Sequence, residues 1–315
     1  MAPPPVIIEG KKILITGPTG QVAEPVVAAW APKTDLYAMA RFNREADIRR
    51  IEALGAHCLK VDLADPMGLE GVPDDFDYVL NFAVVKSGEF DYDLAANAEG
   101  LGRLMLHCRR AQAFLHLSST AVYEYAGQKP LPEDAPLGDN HRVMFPTYSI
   151  SKIAAETVCR FVARQFDIPT TIARLSVPYG DNGGWPFFHL LMMEQGIPIE
   201  IHPEGPNYYN LLHVDDYLEK LPRLLAVASS DPTTVNFGGS DKTSIEEWCD
   251  FLSELTGLKP EFKTNPKAFG SLTIDVTRMH ELIGSTQIPW REGIRSQVEA
   301  LAPHLLKVKG GTRSN

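Results

Sequence analysis

Cysteine is scarce in this chain, and the four present, Cys58, Cys108, Cys159 and Cys249, form no Cys-x-x-Cys pair. Zinc ribbons and dithiol redox motifs are therefore excluded, no metal site is expected, and the four read as buried free thiols of a reducing compartment. A basic excess is also missing. Forty acidic residues against thirty basic ones leave a net charge of -10, which repels a polyanion, so nucleic acid is not an expected partner. No stretch approaches the roughly 18 uninterrupted apolar residues of a membrane-spanning helix, so no membrane partner is expected. The first residues, Met1 to Gly10, lack the basic start and apolar length of a signal peptide, and a cytoplasmic location is the expectation. Internal repeats and low-complexity tracts are absent as well.

What is there is an ordinary globular composition, 44% hydrophobic and 22% charged over 315 residues. In the first half, short β-branched runs alternate with longer segments of helical periodicity, the pattern of a parallel sheet covered by helices. Strands are predicted at 12–16, 35–40, 57–61, 78–83, 113–118 and 170–175, with helices near 21–30, 44–54, 93–110 and 148–165. The expected fold is α/β, a doubly wound parallel sheet with a smaller discontinuous substrate domain. The rhythm breaks after Leu175, returns with a helix at 216–228 and a strand at 234–237, and breaks again. Residues 1–180 and 211–240 thus read as a dinucleotide-binding domain, 181–210 and 241–306 as the substrate domain, and 307–315 as a frayed tail. Ser244 with Glu247 forms a capping box for a further helix that Gly257 closes.

Directly after the first strand comes Gly17-Pro18-Thr19-Gly20-Gln21-Val22-Ala23. Small residues at a strand-to-helix turn let backbone N–H groups approach a pyrophosphate at the positive end of the helix. Thr19, Gly20, Gln21 and Val22 are therefore expected, with Gly17, to contact a dinucleotide. At the end of the second strand an acid would accept from the ribose 2′-hydroxyl, whereas an arginine accommodates a 2′-phosphate. Arg41 stands there, with Arg44 close by and no acid before Glu45. A guanidinium pairs bidentately with phosphate, so NADPH is expected in preference to NAD.

Tyr148 and Lys152 are four residues apart, hence on one face of a helix. A phenol has an ordinary pKa near 10, so proton transfer near neutrality calls for a downward shift of about 3 units, which a neighbouring ammonium and a cationic nicotinamide can supply. The spacing alone is unspecific. Ser119 adds weight, because it ends the fifth strand, on the edge where open α/β sheets place their ligands, and its hydroxyl can polarise a carbonyl. Asn97, early in the fourth helix, is the candidate for a water or backbone link in a proton relay.

In these residues the sequence resembles an extended short-chain dehydrogenase/reductase, of the NAD-dependent epimerase/dehydratase family. Further matches in order are Val61-Asp62-Leu63, Asn81-Phe82-Ala83, Asn97 with Gly100, Arg174 to Gly180, and Leu212 to Asp216. The resemblance implies that Asp62 contacts the adenine, that Leu63, Ala83 and Val177 lie along the cofactor, and that Lys152 also binds the nicotinamide ribose. It implies a catalytic role for Ser119, and a homodimer built on the helices beginning near Asp93 and Tyr148. Two departures follow. The dehydratase branch carries Asp-Glu where this chain has Thr120 and Ala121, which disfavours dehydration. Sugar-nucleotide members carry a diphosphate-gripping arginine where this chain has Tyr209, which weakens that substrate class.

Ser119, Ala121, Trp185 and Tyr209 are the candidate substrate residues, and Trp185, Phe187, Phe188, Tyr208 and Tyr209 suggest an aromatic pocket for a small molecule. The leading expectation is reversible hydride transfer between NADP(H) and a carbonyl or alcohol of a small organic substrate. The alternative is a nucleotide-sugar epimerase with tightly bound NAD.

Overall fold

The structure is a computed structural model and describes residues 3–307. Seven parallel strands form its central sheet: β1 Lys12–Thr16, β2 Asp35–Ala40, β3 His57–Lys60, β4 Tyr78–Asn81, β5 Ala113–Ser119, β6 Thr170–Leu175 and β7 Thr233–Phe237. Their spatial order is β7-β6-β5-β4-β1-β2-β3. The chain runs outward from β1 to β3, then crosses to β4 and runs outward the other way. Neighbours β1 and β4 thus flank the switch point, where diverging loops leave a crevice at the carboxyl ends of the strands.

Side-chain alternation sends each strand's residues to two helical layers. Ile13 and Ile15 pack with Val26, Val27 and Trp30 of the helix Ala23–Trp30 and with Leu221 and Leu224 of the helix Val214–Ala226. Leu14 faces the opposite way, into Leu104, Met105, Ala155 and Cys159. The last two belong to the helix Tyr148–Phe166, and the first two to Gly100–His107. A third cluster joins Tyr209, Trp248, Leu252 and Ile294 from elements that follow β6. There Ser244 Oγ accepts from the Glu247 N–H at 3.0 Å, and the Glu247 carboxylate accepts from the Ser244 N–H at 2.8 Å, the reciprocal cap that the sequence announces. Gly257 closes that helix with φ +83°.

Most differences from the expected elements are one to three residues at the ends, where fraying and loop contacts decide. The larger one is the helix expected at 93–110. It starts at Phe90 and ends at His107, with one π turn at Ala95–Glu99 inserted between two α-helical pieces. Lys307, expected to begin a frayed tail, is tied down: its N–H donates to Leu255 O at 2.9 Å and its ammonium caps the carbonyls of Ser253 and Glu254. The remainder of that expected tail lies outside the described residues. All four thiols are free, three buried and Cys58 half-buried.

Candidate active site

A groove of about 500 Å³ runs along the carboxyl ends of β1 to β4. Gly17, with φ +67°, turns the chain out of β1 so closely that a Cβ there would lie 2.9 Å from Ala83 Cα beyond β4. Only glycine permits that approach. The turn is closed by the Gly20 N–H donating to Gly17 O at 3.0 Å. Gly17, Thr19 and Gly20 line the floor, Arg41 and Asp62 the far end, and Leu63, Ala83 and Asn97 the walls. An elongated groove with a glycine cradle in its middle fits a dinucleotide.

Five expected cofactor residues, Gln21, Val22, Val177, Tyr148 and Lys152, are not among the residues lining the groove. Gln21 is exposed and its amide donates to Pro178 O at 3.4 Å; Val22 packs on the core around β1; Val177 packs on the third cluster. Arg44 lines the groove with Arg41, its guanidinium forked onto Asp47 at 2.8 and 2.9 Å. Arg41 donates from Nη1 to the Tyr92 hydroxyl at 2.8 Å.

The catalytic candidates converge where β5 meets the helix Tyr148–Phe166. Ser119 ends β5 in extended backbone; its Oγ accepts from the Ala121 N–H at 3.1 Å and lies near enough to the Tyr148 phenol to lower its pKa. Lys152 is buried one turn along the helix, and its ammonium donates to Leu117 O at 2.8 Å. Burial lowers its pKa to about 8, while the Glu156 carboxylate pulls the other way. Tyr148 behaves contrary to the expectation. Burial raises its pKa, and the nearby Ser119 hydroxyl offsets only part of this, so the phenol of the protein alone is held as an acid.

Asn97 is buried within the π turn and serves as a backbone link. Its Oδ1 accepts from the Val85 N–H at 2.7 Å, while Nδ2 donates to Val85 O at 2.6 Å and to Ser151 Oγ at 3.1 Å. The extra residue of a π turn re-aims a side chain, and here it locks the segment after β4 to the catalytic helix.

Beside Tyr148 lies a smaller cavity of about 180 Å³. His141 stacks on Phe269 with ring centroids 4.3 Å apart and stands 6.0 Å from the Tyr148 ring. Trp185 stacks on the other side of Phe269 at 5.8 Å and meets Tyr209 edge-on at 5.1 Å. Burial lowers the His141 pKa to about 4, with Lys86 adding to the effect, so the ring is neutral at physiological pH. Tyr209 lines this cavity by its edge but is 3% exposed, and its phenol donates to the carbonyls of Phe269 and Gly270. Ala121 is fully buried, and Phe188 is 56% exposed, away from any pocket wall.

Sequence reasoning missed His141, Phe269, Asp93 and Glu156. The first two carry no motif and meet only through tertiary packing. Asp93 accepts from the N–H groups of Ser87 and Gly88, from Ser87 Oγ and from Thr147 Oγ1, which stands just before Tyr148. Burial raises its pKa, but these hydrogen bonds outweigh that and hold it below the ordinary range. Glu156 accepts from Arg174 Nε at 2.9 Å and Nη2 at 2.8 Å and from Ser118 Oγ at 2.6 Å, a buried ion pair under the site. The i+4 spacing from Lys152 was the available signal for it.

Against known proteins, residues 13–238 match the profile of the NAD dependent epimerase/dehydratase family. The chain belongs to that family. It is an NAD-dependent enzyme of the extended short-chain dehydrogenase/reductase type. Among curated relatives it is 24% identical to the uncharacterized UDP-glucose epimerase YtcB of Bacillus subtilis over 75% of each chain. It is 23% identical to GDP-L-fucose synthase of Azorhizobium caulinodans, covering 91% of this chain and 95% of that one. Among solved structures it resembles UDP-glucuronic acid 4-epimerase of Bacillus cereus, crystallised with UDP-glucuronic acid and NAD. That match has TM-score 0.77 and 19% identity, covering 92% of this chain and 98% of the other. At such identities the likeness carries the fold.

Proposed function

We propose that this family member transfers hydride to and from a hydroxyl-bearing carbon of a nucleotide sugar, with epimerisation as the net reaction. The observation that carries it is the placement of Tyr148 and Lys152 one turn apart on one helix, with Ser119 at the end of β5 beside the Tyr148 phenol, in a fold whose strand ends open into a dinucleotide-shaped groove. The sugar-nucleotide names of the relatives supply the substrate class. A bound nicotinamide ring supplies the hydride acceptor and donor.

This chain's own residues do the rest. Ser119 orients the substrate oxygen by a hydrogen bond. The Tyr148 phenol gives its proton to that oxygen as the carbon is reduced, and the phenolate takes a proton back from it as the carbon is oxidised. Lys152 favours the phenolate when it forms and anchors the ribose. Phe269 and the neutral His141 offer a flat apolar face and a hydrogen-bonding edge, which suits a sugar ring.

Net reduction of a small carbonyl compound is the second reading, favoured by Tyr209. That side chain is a buried packing residue where a diphosphate clamp would stand. Arg41 bears on the cofactor rather than the substrate: a guanidinium at the groove's end favours NADP. Incubating purified protein with UDP-, dTDP- and GDP-sugars and with simple ketones separates the readings. A C-epimer of a nucleotide sugar formed without net dinucleotide consumption supports the first. Stoichiometric NADPH oxidation by ketones alone supports the second.

A further inference from the structure

The end of β2 holds its arginine in a specific way. Phe42, next along the chain, is 5% exposed and has φ +42°, a left-handed backbone that a bulky residue adopts only when its surroundings impose it. With Phe42 turned into the core, Arg41 is left at the groove. There the oxygen of Tyr92 makes two bonds: it accepts from Arg41 Nη1 at 2.8 Å and donates to Asp62 Oδ2 at 2.9 Å. The guanidinium carbon also stands 6.0 Å from the Tyr92 ring centroid. The second oxygen of Asp62 accepts from the Ala64 N–H at 3.0 Å. Among the described residues Arg41 has no other hydrogen-bond partner, so Nε and Nη2 keep their N–H groups for a ligand. Arg44 also lines the groove, but its Nε and one Nη2 N–H are already spent on the Asp47 carboxylate, which offsets its charge.

We propose that Tyr92 is the positioning residue for cofactor choice: its hydroxyl, set between Asp62 and Arg41, keeps the acid from pairing with the guanidinium and holds Arg41 open toward a 2′-phosphate. This rests on the reading of Arg41 as a 2′-phosphate receptor. The physical reason is economy of the fork. A carboxylate in direct contact with a guanidinium takes two of its N–H groups and its charge. A phenol takes one N–H, leaves the charge, and donates its own O–H hydrogen bond to the acid. The tether also reduces the rotamer freedom that Arg41 would lose on binding phosphate.

The test is binding of the two adenosine fragments, 2′,5′-ADP and 5′-AMP, to full-length protein freed of nucleotide, followed by titration calorimetry. Wild type is expected to prefer 2′,5′-ADP by about tenfold or more, the size of one charge-assisted contact. Arg41→Ala should abolish the preference. Tyr92→Phe, which keeps the ring and removes only the bridging oxygen, should cut the preference at least threefold while 5′-AMP affinity stays unchanged. That unchanged affinity also shows that the variant is folded. If Arg41→Ala abolishes the preference and Tyr92→Phe leaves it intact, the role of Tyr92 is overturned and that of Arg41 stands. If wild type shows no preference for 2′,5′-ADP, both fall.

Discussion

At the scale of residues, Tyr148 and Lys152 carry opposite consequences of burial. The phenol is pushed up and kept protonated, the ammonium pushed down to about 8. Tyr148→Phe should therefore lower turnover by about 10²- to 10⁴-fold, the usual worth of a general acid/base, while leaving dinucleotide affinity unchanged in titration. If Lys152 acts as the cation, turnover at saturating substrate should decline as pH rises through about 8, and a pH–rate profile measures this. Its stability has a definite sign. The folded pKa lies below the ordinary 10.5, so the cost of burying the charge is fully present below about 8 and is relieved as pH rises from there to 10.5. Lys152→Met should then be inactive but more stable than wild type at pH 7. The gain is at most about 3 kcal/mol, reduced by the lost bond to Leu117 O, and it should vanish near pH 10.5 in urea titrations.

Elements hold these residues in place, and here the sequence is legible to different depths. The strands read well, because buried parallel strands are short runs of apolar and β-branched residues: β1, β2 and β6 lie where periodicity and composition put them. The glycine turn and the Tyr148/Lys152 spacing were readable because each obeys a local geometric rule. The π turn around Asn97 was not, since no local rule marks a single widened turn, and it is recognisable only by what Asn97 reaches. Asp93 and Glu156 were harder to read: besides the nearby Ser87 and Gly88, Asp93 binds Thr147 54 residues on, and Glu156 binds Ser118 and Arg174, 38 and 18 residues away, with only its spacing to Lys152 and Arg160 local. Glu156→Gln leaves the Arg174 guanidinium buried without its counter-charge, and should cost about 3 to 5 kcal/mol in chemical denaturation. A loss below about 1 kcal/mol would show that the pair is more hydrated than its burial indicates. Gly17→Ala places a methyl carbon against Ala83 and demands a left-handed backbone, so dinucleotide affinity should fall at least tenfold by titration.

For the molecule as a whole, the sheet order sets the division of labour. The switch between β1 and β4 makes the groove, and the elements after β6 bring Trp185, Tyr209 and Phe269 to the far side of Tyr148. Of the aromatic residues expected to form a pocket, only Tyr209 lines the cavity, beside Tyr125 and Phe269. Tyr209 braces Phe269 through its carbonyl, and His141, from the loop before the catalytic helix, supplies the polar edge. On the function we propose, the groove holds the dinucleotide and the cavity at His141 and Phe269, with Tyr148 6.0 Å from the His141 ring, takes the sugar.

The most direct test is stopped-flow fluorescence of the dinucleotide-loaded protein mixed with UDP-, dTDP- and GDP-linked sugars. Reduced dinucleotide should form with at least one of them in wild type and at least a hundredfold more slowly in Tyr148→Phe. Equal rates in the two proteins, or no reduction with any nucleotide sugar while NADPH is oxidised by simple ketones, would contradict the account.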